Sequence, residues 1–176
     1  MKKIILIITA AVFLSSCNKK LDSLLVDPNS PALSNANVDL LLNTTELNFA
    51  NFYNTVQSFG AQLTRQRQWY GPLYNNGYTP NDFDGLWISA YTSVIKNANK
   101  VIELAPKEKK YIQAGIARLI NAYTFGTLVD YFGDVPFKEA VLGVENLNPK
   151  ADGSASVYVG VIALIDSAIS DFNKTG

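Results

Sequence analysis

The chain has no histidine and, in 176 residues, a single cysteine, Cys17. Without imidazole there is no Ser-His-Asp or Cys-His nucleophile, no histidine metal site, and no side chain whose ordinary pKa lies near neutrality. A lone thiol makes no internal disulfide and no thiolate cluster for zinc or iron–sulfur. No metal or cofactor is therefore expected beyond a covalent group on the thiol itself. Charge of one sign is also missing, because 15 Lys+Arg balance 15 Asp+Glu. That leaves no basic stripe for a phosphate backbone, and nucleic acid is not an expected partner. The densest charge run, Lys107 to Lys110, reads as a solvated loop. No run alternates with period two for long enough to make a sheet. What remains is a chain 48% hydrophobic, enough to bury one ordinary core.

The one cysteine sits where a tether would. Met1-Lys2-Lys3 is a short positive start and Ile4 to Leu14 is apolar. Small Ser15 and Ser16 then precede Cys17, which is the layout of an export signal. The apolar run is too short to cross a bilayer, which takes about 20 residues. Leu14-Ser15-Ser16-Cys17 resembles the bacterial lipobox, in which the cysteine sulfur takes a diacylglyceryl group and becomes the first residue after cleavage. Residues 1–16 are thus expected to be a lipoprotein signal peptide. Removing Lys2 and Lys3 leaves 13 basic against 15 acidic side chains, so retention would rest on acyl chains such as palmitate. Each buried methylene contributes about 0.8 kcal/mol, and two or more chains hold stably. Residues 17–37, polar and carrying Asp27-Pro28-Asn29-Ser30-Pro31, read as a lipidated extended arm.

Residues 38–176 carry four helical patterns. The first starts near Val38 with Ser34, Asn35 or Asn37 as cap, and its stripe is Val38, Leu42, Phe49, Phe52, Val56, Phe59 and Leu63. The second runs from Trp87 through Tyr91, Val94, Ile95, Ala98 and Ile102 to Ala105, ahead of Pro106. The third has one face of Ile112, Ile116, Leu119 and Tyr123 and another of Ala114, Ala117, Phe125, Leu128, Val129 and Phe132. Burial on more than one side is expected for it, with an end at Gly133. The fourth follows Gly153-Ser154 with Val157, Val161, Leu164, Ile165, Ala168, Ile169 and Phe172. The predicted class is all-α, a tetratricopeptide-like array of antiparallel helix pairs without a strict 34-residue repeat.

Several segments together resemble one family. They are the lipobox, the Asp27-Pro28-Asn29 arm, the stretch from Trp87 through Tyr91 to Asn99, and above all ARLINAYTFGTLVDYFGDVPF, Ala117 to Phe137. They are similar to the SusD/RagB family of Bacteroidetes outer-membrane lipoproteins. The resemblance implies a SusD-like helical scaffold at the cell surface, lipid-anchored in the outer membrane. It would bind an oligosaccharide or other nutrient and deliver it to a SusC-like TonB-dependent transporter. Family members are usually longer, so the chain is expected to correspond to the N-terminal portion of the family fold. The alternative function is a lipid-anchored helical scaffold for protein interaction with no sugar site.

The candidate ligand site is the aromatic loop between the first two helices, with Trp69, Tyr70, Tyr74 and Tyr78. Exposed rings stack on the apolar faces of sugars, and the amides of Gln66, Gln68, Asn75 and Asn76 could bond hydroxyls. The competing reading buries the same rings against helices one and two. Trp87 is expected in the core. Asn81-Asp82-Phe83-Asp84-Gly85 looks like part of a calcium loop but lacks the glutamate at the twelfth position, so Asn81 or Asp82 is expected to cap the second helix. Asp130, Asp134 and Glu139 could be imagined as glycosidase carboxylates. Asp134 suits turn amides better, and no enzymatic activity is expected. Arg118, on a mostly buried helix, requires a carboxylate or carbonyl partner.

Overall fold

The computed structural model describes residues 37–67 and 78–175. The expected signal peptide, Cys17 and the arm as far as residue 36 lie outside the described residues. The helices are α1 (Val38–Leu63), α2 (Asp84–Ile88), α3 (Lys96–Leu104), α4 (Tyr111–Phe132) and α5 (Ser154–Phe172), with a π-helical turn, Ser89–Ile95, joining α2 to α3. Among the described residues there is no strand, only a single bridge between Val135 and Asp152. The class is all-α.

Local chemistry sets the helix ends. Asn37 Oδ1 accepts the N–H groups of Asp39 at 2.9 Å and Leu40 at 3.3 Å, satisfying two of the donors that open α1. The missing N–H of Pro106 ends the α-helical ladder, and the chain tightens into a 3-10 turn at Ala105–Glu108. Lys107 and Lys110, expected in a solvated loop, belong to this turn and its exit and pair with Glu103, Glu108 and Asp39. Gly133, at φ 76°, lets the chain leave α4.

The expected second helix proves to be three helical segments in succession. The π turn closes i→i+5 bonds, so it rotates the side chains relative to a 3.6-residue period. The buried residues are consequently Leu86, Ala90, Val94, Ile95, Ala98, Val101 and Ala105. Trp87, Tyr91 and Ile102, expected in the stripe, sit half-buried at the edge of the core.

Contacts between helices give their directions. Phe59, late in α1, packs on Phe83 just before α2, so the first pair is antiparallel. Trp87, the last residue but one of α2, meets Phe132, the last residue of α4. Asn121 of α4 donates to Asn99 of α3 at 2.7 Å, and α3 and α4 are antiparallel too. Gly115, early in α4, lies under the ring of Phe172, the last residue of α5. The chain thus runs up, down, up, down, as two helix pairs, the arrangement of a tetratricopeptide-like array.

Helix α4 is buried on more than one side, as expected, but one of its two apolar faces is open. Its Ala114, Ala117, Phe125, Leu128 and Val129 face is buried, but Ile112 is 61% exposed, Leu119 39% and Tyr123 51%. Helices α1, α3 and α5 flank α4, and no element among the described residues covers this outer strip. The same holds for half of the α5 stripe: Val157, Val161 and Ala168 are buried while Ile165, Ile169 and Phe172 are open. By length and composition α5 could cross a membrane. In this fold it lies along α4 and buries Asp171 against Arg118.

Candidate functional site

Trp69, Tyr70 and Tyr74 of the candidate loop, with Gln68, Asn75 and Asn76, lie outside the described residues. Both ends of the loop are described. At its start, Thr64 N–H still bonds Gly60 O at 3.0 Å, Arg65 turns the chain at φ 59°, and Arg67 N–H returns to Ala61 O at 3.0 Å. This turn brings Gln66 and Arg67 against the outer face of α1. Together with Asn54, Gln57 and Ser58 they line a concavity of about 340 Å³. Arg67 Nη1 donates to Ser58 Oγ at 3.3 Å, which fixes the guanidinium at its edge. Amides, a hydroxyl and a guanidinium in one hollow supply the mixed donors and acceptors that a polyhydroxylated ligand requires.

At the far end of the loop, Tyr78 is half-buried. Its ring meets Phe59 edge-on at 5.3 Å and Phe83 at 5.7 Å, and its hydroxyl donates to Gln62 Oε1 at 3.4 Å. Phe83 continues to Phe132 at 5.4 Å and Phe132 to Trp87 at 4.8 Å. An aromatic row therefore stitches the loop's exit to α1, α2 and α4. Edge-to-face pairs of this kind contribute about 0.5–1.5 kcal/mol each beyond burial.

The helix-start motif is arranged differently from the sequence expectation. Thr79 occupies the cap position of the 3-10 turn Pro80–Phe83, and Asp82 is its third residue. The Asp82 carboxylate accepts the Thr79 N–H at 2.6 Å and the Thr79 hydroxyl at 2.9 Å. These bonds lower its pKa.

Each of the three carboxylates weighed as glycosidase groups has a structural partner. Asp130 accepts the hydroxyl of Tyr158, a bond that raises the pKa of that phenol. Asp134 Oδ1 accepts Ser154 N–H at 2.8 Å. Glu139 accepts Asn146 Nδ2 at 2.8 Å and Lys150 N–H at 3.1 Å. Asp152, not singled out in the sequence, accepts the N–H groups of Phe137 at 3.1 Å and Lys138 at 2.9 Å. Arg118 finds its carboxylate in Asp171, Nε to Oδ2 at 2.8 Å.

A second aromatic surface was not legible as a site. Phe49, Tyr53 and Tyr123 meet with ring centroids 5.5–6.5 Å apart. Tyr53 and Tyr123 are about half exposed. The three rings, with Leu119, border a groove of about 280 Å³. On the other side of Tyr123, a groove of about 490 Å³ runs between α4 and α5 past Gly126, Asp130 and Ile165. Helical spacing alone assigns Leu119 and Tyr123 to one apolar face, and that face turns out to be the open one.

Comparison with known proteins gives two matches along the sequence. Residues 24–176 match the SusD-like family model, described as starch-binding and associating with the outer membrane. Residues 1–18 match the prokaryotic membrane lipoprotein lipid attachment site. Among solved structures, a SusD/RagB family protein from Bacteroides thetaiotaomicron VPI-5482 is similar, at 28% identity and a TM-score of 0.47. That alignment covers 52% of this chain and 19% of the solved one. No curated protein matches.

Proposed function

The chain belongs to the SusD-like family, and from that premise we propose that it is an outer-membrane lipoprotein that captures a glycan or other nutrient and delivers it to a SusC-like TonB-dependent transporter. The observation that carries the reading is the order of the two matches, a lipid attachment site over residues 1–18 followed by the SusD-like region over 24–176. A cysteine for the tether, Cys17, and a helical scaffold on one chain support this reading.

The hollow of Asn54, Gln57, Gln66 and Arg67 supports a polyhydroxylated ligand. It borders the start of the loop that carries Trp69, Tyr70 and Tyr74, whose rings would stack on sugar faces while the amides bond hydroxyls. Binding rather than catalysis is the reading, since Asp130, Asp134 and Glu139 are each engaged by a structural donor.

The test has two arms. Metabolic labelling with radioactive palmitate should mark the wild type and leave Cys17→Ala unlabelled and released from the membrane fraction. Titration calorimetry against a panel of starch-derived and other oligosaccharides should give heat that Trp69→Ala or Gln66→Ala diminishes. Label retained on Cys17→Ala would refute the tether.

The exposed apolar strip of α4 and α5 favours a second reading, a lipid-anchored scaffold for another polypeptide. Silence across the glycan panel, with a transporter retained in pull-down, would select it.

A further inference from the structure

A cleft of about 400 Å³ opens on the side of the molecule formed by the π turn and the segment after α4. That volume is in the range of small-molecule sites. Trp87 and Tyr91 form one wall, stacked nearly parallel at 4° with centroids 5.6 Å apart. Pro136, Ala140 and Val141 also line it, as do Thr92 and Lys96, which are both exposed.

Two features of the backbone set this cleft apart. Tyr91 and Thr92 belong to the π-helical turn, a rare conformation found often at functional sites. Val141 has φ 61°, a left-handed conformation that a β-branched residue adopts only under strain. Strain of this kind persists where the surroundings over-determine it, and it concentrates at ligand clamps.

The polar groups decide what the cleft would accept. The Tyr91 hydroxyl donates to Pro136 O at 2.7 Å, and the Thr92 hydroxyl donates to Ile88 O at 2.6 Å. Asp152, whose charge reaches Tyr91, is held by two backbone N–H groups and by Lys138. Lys96 alone brings a charge to the lining, and it forms no ion pair among the described residues. A sugar placed here would leave most of its hydroxyls without partners, which burial penalises. A compact apolar body has no such hydroxyls to leave unpaired, and a single negative charge on it has Lys96 to offset its desolvation.

We propose that this cleft binds a small monocarboxylate with an apolar, ring-shaped body, the carboxylate facing Lys96 and the body lying against Trp87, Tyr91 and Pro136. The site is separate from the hollow beside the aromatic loop and does not depend on the glycan reading.

Phenylacetate is a suitable probe, with phenylacetamide as its uncharged counterpart and glucuronate as a carboxylate on a polar ring. Titration of the full chain in detergent, followed by tryptophan fluorescence and calorimetry, should show saturable phenylacetate binding. Phenylacetamide should bind about tenfold more weakly, and glucuronate should give no saturation at the same concentrations. Lys96→Gln, at an exposed position, should weaken phenylacetate about tenfold and leave phenylacetamide unchanged. Thr92→Trp, which fills the cleft from an exposed helical position, should abolish phenylacetate binding with the circular dichroism of the wild type retained. Absence of saturation by phenylacetate, equal affinity for acid and amide, glucuronate binding as tight as phenylacetate, or an unaltered affinity in Lys96→Gln would each overturn the proposal.

Discussion

Asp134 Oδ1 accepts the backbone N–H of Ser154 at 2.8 Å across 20 residues of chain. Gly153, at the cap position of α5, has no side chain to do this. The carboxylate therefore caps α5 from the far end of the α4–α5 connection and places negative charge at a helix N-terminus, where it is favoured. The next residue, Val135, exchanges backbone bonds with Asp152 at 2.9 and 3.2 Å, and Pro136 O accepts the Tyr91 hydroxyl. Gly133 to Pro136 thereby acts as a clasp among the π turn, α4 and α5. Asp134→Ala should lower stability by about 1 kcal/mol, the ordinary cost of losing a cap. Asp134→Asn should recover most of the loss. Urea unfolding of the three proteins measures this, and an Ala variant as stable as the wild type would reject the cap.

Asn37 makes the corresponding bond in the ordinary local way, from the residue before α1. Asn37→Ala should cost about 1 kcal/mol, with Asn37→Asp close to the wild type. Asp39, two residues on, separately ties α1 to Lys110 and Gln113 of the neighbouring segment at 3.0 Å each. A double variant Asn37→Ala/Lys110→Ala should show coupling of about 0.5 kcal/mol or more in thermal unfolding, because Asp39 is the partner of both residues. Strictly additive losses would contradict this.

Gly115 and Gly160 both lie under aromatic rings, and they should respond differently to alanine. A Cβ on Gly115 would stand 2.5 Å from the Phe172 ring, and a Cβ on Gly160 would overlap Phe137. Phe172 is 41% exposed at the last position of α5, so its ring can swing away. Phe137 packs edge-on against Phe125 at 4.7 Å, and its N–H is held by Asp152. Replacing glycine by alanine in a helix gains about 1 kcal/mol, and forced overpacking costs about 1–3 kcal/mol. Gly115→Ala should come out near neutral. Gly160→Ala should be destabilising by about 1 kcal/mol net, which at this chain length lowers the melting temperature by about 2–4 °C. Calorimetric melting separates the two, and the idea fails if Gly160→Ala melts at or above the wild type.

How much of this is legible in the sequence depends on whether the cause is local. Pro106 and Gly133 mark helix ends by their own chemistry, whereas Ser34, Asn35 and Asn37 all offer a cap for α1 and only the structure selects Asn37. The π turn at Ser89–Ile95 leaves no local mark, and a 3.6-residue template run through it misplaces Trp87, Tyr91 and Ile102. Amphipathic spacing shows that Leu119 and Tyr123 share a face but carries no information on which neighbour covers it. Arg118 declares its need for a partner, yet only the antiparallel packing of α4 and α5 supplies Asp171. At the candidate site, Gln66 is readable as a loop amide. Its meeting with Asn54 and Gln57 requires the Arg65 turn, which the sequence does not announce.

Asp171 has the most to lose in acid. It is 2% exposed, and Arg118 and Lys174 reach its two oxygens at 2.8 and 2.6 Å. Burial alone would raise its pKa, but the hydrogen bonds from Lys174 and Arg118 outweigh that, and the pKa lies below the ordinary carboxylate value. A carboxyl whose folded pKa is depressed contributes stability above its unfolded pKa of about 3.9 and loses it as pH falls through the folded value. Stability should therefore decline below about pH 4, with Asp152, lowered chiefly by the Lys138 N–H, contributing to the same limb. Asp171→Asn should be less stable at pH 7 and show a shallower decline between pH 5 and 3. Arg118→Met removes one of two cations from a buried charge. The usual loss of about 3–5 kcal/mol for breaking a buried pair is reduced here to about 2 kcal/mol, because Lys174 stays and Arg118 is itself partly in water. Urea titrations at pH 7 and pH 3.5 test both variants. Parallel pH profiles for the wild type and Asp171→Asn would show that the acid sensitivity arises elsewhere.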